Sequence, residues 1–154
     1  MIRFRTPRHA EAETLTGIAL ASKRLWNYPE EWIALWEPSL RVTPEQLDAW
    51  HFEVAEAGEA LVGYFAVSRD GALAELEHLW VKPGYEGRGY GRLILRRALA
   101  RCRELGATRL RVVSDPNAEG FYRRMGGVLS GQVPSVPEPR MLPVLEFHLS
   151  AAGA

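Results

Sequence analysis

Three glycines at alternate positions, Gly87, Gly89 and Gly91, lead directly into an arginine-rich segment with apolar periodicity. Glycines at the start of a helix leave backbone N–H groups open, and these groups together with the helix dipole can bind a phosphate anion. The stretch has neither the lysine of a P-loop nor the glycine spacing of a dinucleotide-binding turn. The alternative is that the glycines serve only a tight turn, but Arg88, Arg92 and a preceding strand favour a pyrophosphate site.

Three titratable side chains, Glu75, Glu77 and His78, lie in the strand-like segment before this turn, and each is a candidate general base. Strict alternation would place Glu75 and Glu77 on one face with Leu79 and would turn His78 to the other face with Leu76. A bulge would change this parity, and bulges are common beside active sites. Each of the three residues can also be no more than a solvated strand position.

The elements that position these residues follow from hydrophobic periodicity, caps and turn residues. Strands are predicted at 2–5, 51–57, 59–68, 73–81, 108–113 and 142–149, and helices at 8–25, 27–40, 43–50, 92–105 and 118–126. Thr43, Pro44 and Gln46 predict a capping box, and Gly106 predicts a helix end. The short connections between residues 51 and 81 predict an antiparallel meander, and residues 131–143 form a proline-rich excursion.

Composition narrows the classes of protein and of site. The 154 residues suffice for one domain with a substantial core, and nineteen basic residues balance nineteen acidic ones. The balanced charge gives no global attraction to nucleic acid or to an anionic membrane. The single cysteine, Cys102, is expected to be a buried hydrophobe, and the four histidines show no metal-ligand spacing. The absence of a signal-like or membrane-spanning run predicts a cytoplasmic protein.

Two motifs resemble those of the GCN5-related N-acetyltransferases (GNAT). The family pattern R/Q-x-x-G-x-G/A falls on residues 86–91, with Glu86 in place of the usual Gln or Arg, and residues 117–127 resemble the family segment N-x-x-A-x-x-F-Y-x-x-x-G-F. Gly127 replaces the final aromatic residue. The resemblance implies an α/β (α+β) fold, in which helices flank both faces of a mixed, mostly antiparallel sheet of six to seven strands. It implies one domain over residues 1–154.

The resemblance also implies an acetyl-coenzyme A site without a metal. The implied cofactor-binding residues are Leu79, Val81, Glu86, Gly87, Arg88, Gly89, Tyr90, Gly91, Arg92, Asn117 and Tyr122. Tyr122 matches the family's catalytic acid, although an aromatic residue on a short helix can also simply pack. Glu75 is the first candidate for the base, with Glu77, His78 or a water chain as alternatives. The Glu86 carboxylate either faces the pyrophosphate and weakens binding, or points to solvent.

The acceptor side is predicted in outline only. Trp26, Tyr28, Trp32 and Trp36 lie in the region that roofs the acceptor cleft in this family, and they either shape a pocket or belong to the core. Arg140, in the proline-rich stretch, is a candidate partner for an acceptor carboxylate. The resemblance implies transfer of acetyl to a primary amine of a small molecule or peptide by a monomer or homodimer. The alternative function is a non-catalytic acyl-coenzyme A-binding module.

Overall fold

Seven strands form one sheet in a computed structural model that describes residues 1–150. The strands are β1 (Ile2–Arg5), β2 (His51–Ala57), β3 (Ala60–Asp70), β4 (Leu73–Val81), β5 (Arg109–Val113), β6 (Val128–Pro134) and β7 (Met141–His148). Their order is β1-β2-β3-β4-β5-β7-β6. All neighbours are antiparallel except β4 and β5, which run parallel. The predicted mixed, mostly antiparallel sheet is confirmed.

Five helices connect and cover the strands. They are α1 (Ala12–Arg24), α2 (Glu30–Leu40), α3 (Pro44–Ala49), α4 (Tyr90–Glu104) and α5 (Glu119–Arg124), with 3-10 turns at His9–Glu11 and Pro116–Ala118. The predicted capping box of α3 is confirmed, because Thr43 accepts the N–H of Gln46 and the Gln46 side chain accepts the N–H of Thr43. None of the helices within residues 1–150 is long and apolar enough to cross a membrane.

The sheet carries an apolar core on each face. The α4-side core includes the helix residues Ile94, Leu95 and Cys102, which are fully buried. Cys102 is therefore the buried hydrophobe that was predicted, and burial raises the pKa of its thiol to about 11. The α1-side core places Leu15 and other residues of α1 against β2 and β3. Helices therefore flank both faces of the sheet, as predicted.

A buried carboxylate holds α4 in place over the sheet. Glu53 of β2 is only 3% exposed and accepts hydrogen bonds of 2.8 Å from Arg97 Nε and Arg101 Nε. It also lies 2.6 Å from His51 Nε2. A carboxylate buried in this way needs such partners, because an unpaired buried charge is strongly destabilising. The network fixes the position of α4, and with it the glycine turn that precedes the helix.

A bulge in β4 overturns the predicted alternation of the titratable residues. His78 and Leu76 pair with consecutive residues of β3, so Glu77 is the extra residue between them. Leu76 belongs to the α4-side core, whereas His78 stacks with aromatic rings of the α1-side core. Leu79 packs against the α4-side core, so it does not share a face with Glu75, the neighbour of Leu76. The prediction that Glu75, Glu77 and Leu79 lie on one face is wrong.

Strands β4 and β5 separate after a short paired region. Their only registered pairs within residues 1–150 are Leu73 with Arg109, Ala74 with Leu110, and Glu75 with Arg111. Beyond Glu75 the two strands diverge, and the space between them is referred to below as the cleft. The cleft opens at the carboxyl ends of two parallel strands, which is a frequent position for a ligand site in α/β sheets.

The proline-rich excursion is shorter than predicted. Residues 128–134 form the edge strand β6, which pairs with β7 over residues 141–146, so only residues 135–140 remain as a loop. An edge strand tolerates proline, because one of its sides has no ladder to maintain. Pro134 accordingly stands at the end of β6. Six of the seven residues of β6 are exposed, so the strand has no buried apolar face. Its sequence therefore lacks the apolar alternation by which a strand is recognised.

Candidate functional site

The glycine turn places open backbone groups at the start of α4. Gly89 is the N-cap residue, with φ of 82°, and Gly87 has φ of 77°. Both values lie in the left-handed region that favours glycine. A Cβ added at either position would meet no atom of residues 1–150 within 4 Å, so the backbone is accessible there. The N–H groups of the first helical turn, which have no acceptor inside the helix, therefore face an open site suited to an anion.

The flanking side chains complete this turn. Arg88 and Arg92 are exposed, and the guanidinium of Arg88 lies 5.3 Å from the centre of the Tyr85 ring. The Glu86 carboxylate accepts the N–H of Gly84 at 2.9 Å and 3.2 Å, so it is turned back onto the loop. Glu86 is exposed, which leaves the two arginines as the cations next to the open N–H groups.

An apolar cavity of about 440 Å³ leads from the glycine turn into the cleft. Glu86 and Gly91 line it at the turn, and Val81 lines it along β4. Further lining residues are Ser22, Leu25, Trp26, Leu79, Trp80, Asn117, Ala118, Phe121 and Tyr122. The Ser22 hydroxyl donates to the Val81 carbonyl at 3.1 Å, which joins the end of α1 to the end of β4. This cavity is referred to below as the channel.

A second cavity, of about 330 Å³, occupies the cleft between β4 and β5. It holds the titratable residues of β4, namely Glu75, Glu77 and His78. It shares Trp26, Leu79, Trp80, Ala118 and Tyr122 with the channel. The two cavities therefore meet at these residues, and the second is referred to below as the cleft cavity.

Tyr122 lies where the two cavities meet. Its side chain comes from α5 and packs at 5.2 Å, ring centre to ring centre, against Phe121. The residue is 7% exposed, and burial together with the nearby charge of Asp115 raises the pKa of its hydroxyl. An ordinary tyrosine hydroxyl is already protonated at neutral pH, so it is the position of this hydroxyl, and not the shift of its pKa, that suits a proton donor.

The two glutamates of β4 differ in their surroundings. The Glu75 carboxylate is paired with the Arg111 guanidinium at 2.5 Å, across the last registered pair of β4 and β5. Glu77 accepts a hydrogen bond of 2.6 Å from the Ser68 hydroxyl. Burial and the neighbouring Glu75 raise the pKa of Glu77, although the bond from Ser68 opposes the shift. A carboxylate with a raised pKa is the better proton acceptor, so this geometry favours Glu77 over Glu75 as a base.

His78 is poorly suited to proton transfer. It is 4% exposed, and burial lowers its pKa to about 4, so the ring is neutral at neutral pH. Its Nδ1 accepts the indole N–H of Trp80 at 3.0 Å, so this nitrogen is already engaged. The ring lies within 6.4 Å of those of Trp50, Phe52 and Tyr64. His78 therefore belongs to the packing of the α1-side core as much as to the cleft.

One carboxylate gathers polar residues from four parts of the chain at the cleft cavity. Asp115 accepts from Lys23 Nζ at 2.5 Å, from the Tyr28 hydroxyl at 3.0 Å, and from Asn117 N at 2.8 Å. Arg140 Nη2 lies 3.4 Å from the same carboxylate. These five residues are referred to below as the Asp115 cluster. The bonds to Lys23 and the other donors outweigh burial and lower the pKa of Asp115.

Sequence reasoning found only part of this site. Lys23, Asp115, Ser68 and Arg111 were not predicted from the sequence. Lys23 and Asp115, for example, are 92 positions apart in the sequence. The turn Asp115–Pro116–Asn117 carried a local signal, since Asp before Pro commonly caps a helical turn. Within residues 1–150, no group of His, Cys, Asp or Glu side chains is arranged to hold a metal ion.

The predicted aromatic residues divide between core and cavity. Trp36 is buried, and Tyr28 and Trp32 pack against it at 4.8 Å and 6.0 Å between ring centres. Trp36 Nε1 donates to the Val136 carbonyl at 2.6 Å, which joins α2 to the loop between β6 and β7. Trp26 is partly exposed and lines both cavities.

A family model described as acetyltransferase (GNAT) family matches residues 14–127. The N-alpha-acetyltransferase RimI of Mycobacterium tuberculosis is 38% identical over 81 residues, which are 49% of this chain and 51% of the relative. The chain thus spans about half the length of that relative.

Two solved structures share the fold at low identity. The PaiA N-acetyltransferase of Thermoplasma acidophilum in complex with coenzyme A has a TM-score of 0.80 at 21% identity, covering 96% of this chain and 99% of that one. The structure of yncA from Salmonella typhimurium with acetyl-CoA has a TM-score of 0.68 at 20% identity, covering 100% and 97%. Both proteins are similar to this chain throughout its length.

Proposed function

Because the chain belongs to the acetyltransferase (GNAT) family, we propose that residues 1–154 form one N-acetyltransferase domain that acts on a primary amine of a small molecule or peptide. The co-substrate is acetyl-coenzyme A, which supplies the acetyl thioester that the amine attacks directly. The name of the M. tuberculosis relative, an N-alpha-acetyltransferase, supports an amine acceptor.

The position of Tyr122 carries this proposal. Its side chain lines both the channel and the cleft cavity, and a tyrosine hydroxyl is protonated at neutral pH. A hydroxyl at that junction is placed to protonate the thiolate of coenzyme A as it leaves. By analogy with cysteine, the corresponding thiol has a pKa of about 8.5. A binding module without catalysis would have no need for such a donor at this point.

The channel and the glycine turn fit the co-substrate. Gly87 and Gly89, with the N–H groups at the start of α4, would hold the pyrophosphate, and Arg88 and Arg92 would add positive charge. The predominantly apolar walls of the channel would hold the pantetheine arm, with Val81 and Leu79 of β4 along one side. In this proposal, these residues have the roles that the family resemblance implies for them.

Glu77 is the base that we propose. An alkylammonium has a pKa of about 10, so an amine is mostly protonated at neutral pH and must lose a proton before it can attack the thioester. Glu77 lines the cleft cavity with a raised pKa and a hydrogen bond from Ser68, whereas Glu75 is neutralised by Arg111. Glu77 therefore receives the proton directly or through a water molecule, and Glu75 holds β4 and β5 together.

An amine screen tests the activity. The protein is mixed with acetyl-CoA and a panel of amino acids, polyamines and short peptides with free N-termini, and the release of thiol is followed, with mass spectrometry of the products. We expect at least one amine to give a rate of thiol release clearly above the rate of thioester hydrolysis without an amine. Tyr122→Phe removes only the hydroxyl, so it should lower kcat by about 10²-fold or more while leaving coenzyme A binding intact.

The control for this screen is Tyr85→Phe, because Tyr85 precedes the glycine turn and lies outside both cavities as their linings are described. Its kcat should stay close to that of the wild type. Binding of acetyl-CoA without turnover of any amine would contradict the proposal and would favour the acyl-coenzyme A-binding module. An unchanged kcat in Tyr122→Phe would remove Tyr122 from its proposed role.

A further inference from the structure

The Asp115 cluster contains more positive than negative charge. Lys23 and Arg140 both converge on the single carboxylate of Asp115, and the side chains of all three are largely buried, with exposures of 11%, 11% and 6%. Tyr28 and Asn117, the other members, are neutral. The guanidinium carbon of Arg140 and the ammonium of Lys23 lie 4.5 Å and 4.8 Å from the centre of the Trp36 ring. Cation–π contacts of this kind compensate a buried charge only in part.

The hydrogen-bonding capacity of the cluster is also unbalanced. Asp115 Oδ1 accepts from the Tyr28 hydroxyl, Asn117 N and Asn117 Nδ2, while Oδ2 accepts from Lys23, Arg140 and the Tyr28 hydroxyl. These contacts exhaust the roughly four lone-pair sites of a carboxylate. Arg140 has five N–H donors, yet its two side-chain bonds within residues 1–150 are both 3.4 Å long and its buried Nε has no partner.

The Asp115 cluster adjoins the space for the acceptor through two of its members. Lys23 and Asp115 line the cleft cavity together with Glu77 and Tyr122. Burial lowers the pKa of Lys23 despite the bond to Asp115, so its ammonium would gain from a second anion. The remaining charged side chain of the cavity wall, Glu75, is paired with Arg111. One wall thus offers Lys23, which shares the carboxylate of Asp115 with Arg140, and another offers the carboxyl of Glu77.

We propose that Lys23, supported by Arg140, binds a carboxylate of the acceptor, and that the acceptor is a small amino acid whose amine faces Glu77. The inference rests on the proposed function. Asp115 keeps Arg140, Tyr28 and Asn117 as donors, so Lys23 can share its protons with a substrate carboxylate without leaving Asp115 unpaired. The cleft cavity, at about 330 Å³, lies at the small end of ligand sites, which fits a single amino acid.

Binding of acetylated products tests the carboxylate site without requiring turnover. Calorimetry in the presence of coenzyme A compares N-acetyl amino acids with their C-terminal amides, over a panel of small, apolar, aromatic and polar side chains. For at least one pair we expect the carboxylate to bind about 10-fold or more tightly, as for a charge-assisted hydrogen bond. Lys23→Met should abolish the preference, and Lys23→Arg should restore it.

Arg24→Met is the matched control, because Arg24 follows Lys23 on α1 but forms an exposed pair with Glu30. It should keep the full preference. Equal binding of every carboxylate and its amide by the wild type would overturn the inference, as would a preference that survives in Lys23→Met. This comparison within the wild type holds even if Lys23→Met fails to fold.

The amine screen separates the inference from the proposed function. Acetylation of amines with no preference for a carboxylate, in turnover or in product binding, would uphold the activity and overturn the amino-acid acceptor. A carboxylate preference in binding without turnover of any amine would uphold the anion site of Lys23 and overturn the proposed activity.

Discussion

Glu77 reaches the cleft cavity because β4 contains one extra residue. Without the bulge, His78 would pair one position earlier and the carboxyl of Glu77 would occupy a different place along the strand. The bulge therefore gives one strand both a buried histidine that packs and a half-buried carboxyl that can exchange protons. Bulges commonly redirect a side chain next to an active site, and here the redirected side chain is the proposed base.

The pH profile of Glu77→Gln tests this role. A base works in its deprotonated form, so activity should rise as the pH passes the pKa of Glu77, which burial raises above that of an ordinary carboxyl. Glu77→Gln should lower kcat/KM most at low pH, by about 10²-fold. The loss should shrink at high pH, where solution supplies neutral amine. The profile of kcat/KM from pH 5 to 10 measures both effects.

Glu75→Gln is the control for Glu77→Gln, since it changes the neighbouring carboxyl and releases the pair with Arg111. It also removes the charge of Glu75, which contributes to the raised pKa of Glu77, so the rise in kcat/KM should move to lower pH without being lost. If Glu75→Gln abolished the rise in kcat/KM and Glu77→Gln retained it, the base would be Glu75, which was the first candidate from the sequence.

At the level of elements, a glycine sets how closely β3, β4 and α4 approach. A Cβ added to Gly63 would lie 2.7 Å from Ile94 Cδ1 and would overlap the carbonyl oxygen of Trp80. The second contact is with backbone, which cannot move aside without displacing β4. Trp80 and Val81, at this end of β4, also line the channel. The packing of β3 against β4 therefore fixes the wall of the co-substrate site.

Gly63→Ala should destabilise the protein by about 1 to 3 kcal/mol, as expected for overpacking in a closely packed core. In a protein of this size, each kcal/mol corresponds to roughly 2–4 °C in Tm. Thermal unfolding followed by circular dichroism measures the change. Gly131→Ala in the edge strand β6 is the control, because a Cβ there meets nothing within 4 Å in the described chain, and its Tm should barely move.

The elements themselves were largely predictable, and so was the antiparallel pairing of β2, β3 and β4, whereas the pairing of the other strands was not. Periodicity located the helix at Tyr90–Glu104 because one stripe of that helix is apolar and the other is rich in arginine. It missed Val128–Pro134, whose residues are mostly exposed and carry no apolar alternation. A bulge in β4 was raised only as an alternative, because the bulge at Glu77 depends on how β3 and β4 pair rather than on either strand alone. The Asp115 cluster was unpredictable for the same reason, since tertiary contacts create it.

For the whole molecule, binding of acetyl-CoA should raise Tm. A ligand that binds only the folded state stabilises it by RT ln(1 + [L]/Kd), or about 2.7 kcal/mol at a concentration of 100 Kd. Gly89→Asp should abolish the shift, because a side chain and a negative charge would enter the anion site at the start of α4. Differential scanning fluorimetry over a series of acetyl-CoA concentrations measures the shift for each protein.

The control for Gly89→Asp is Gly89→Asn, which has nearly the same shape and also tolerates positive φ but lacks the charge. It should keep part of the ligand-induced shift. An undiminished shift in Gly89→Asp would mean that the glycines serve only the turn. Each variant is compared with and without ligand, so a change in its intrinsic stability does not affect the result.

The short registration of β4 with β5 divides the sheet into two plates of four and three strands, joined at three residue pairs. Beyond Glu75, the residues of β4 other than the bulged Glu77 pair with β3, and none of them is registered with β5 in the described part of the chain. Every second amide that faces β5 therefore has no ladder to protect it from deuterium exchange. A ligand lying along β4 would bridge the plates and slow exchange in both at once. Binding of such a ligand would thus alter the exchange of the whole sheet and not only of the site.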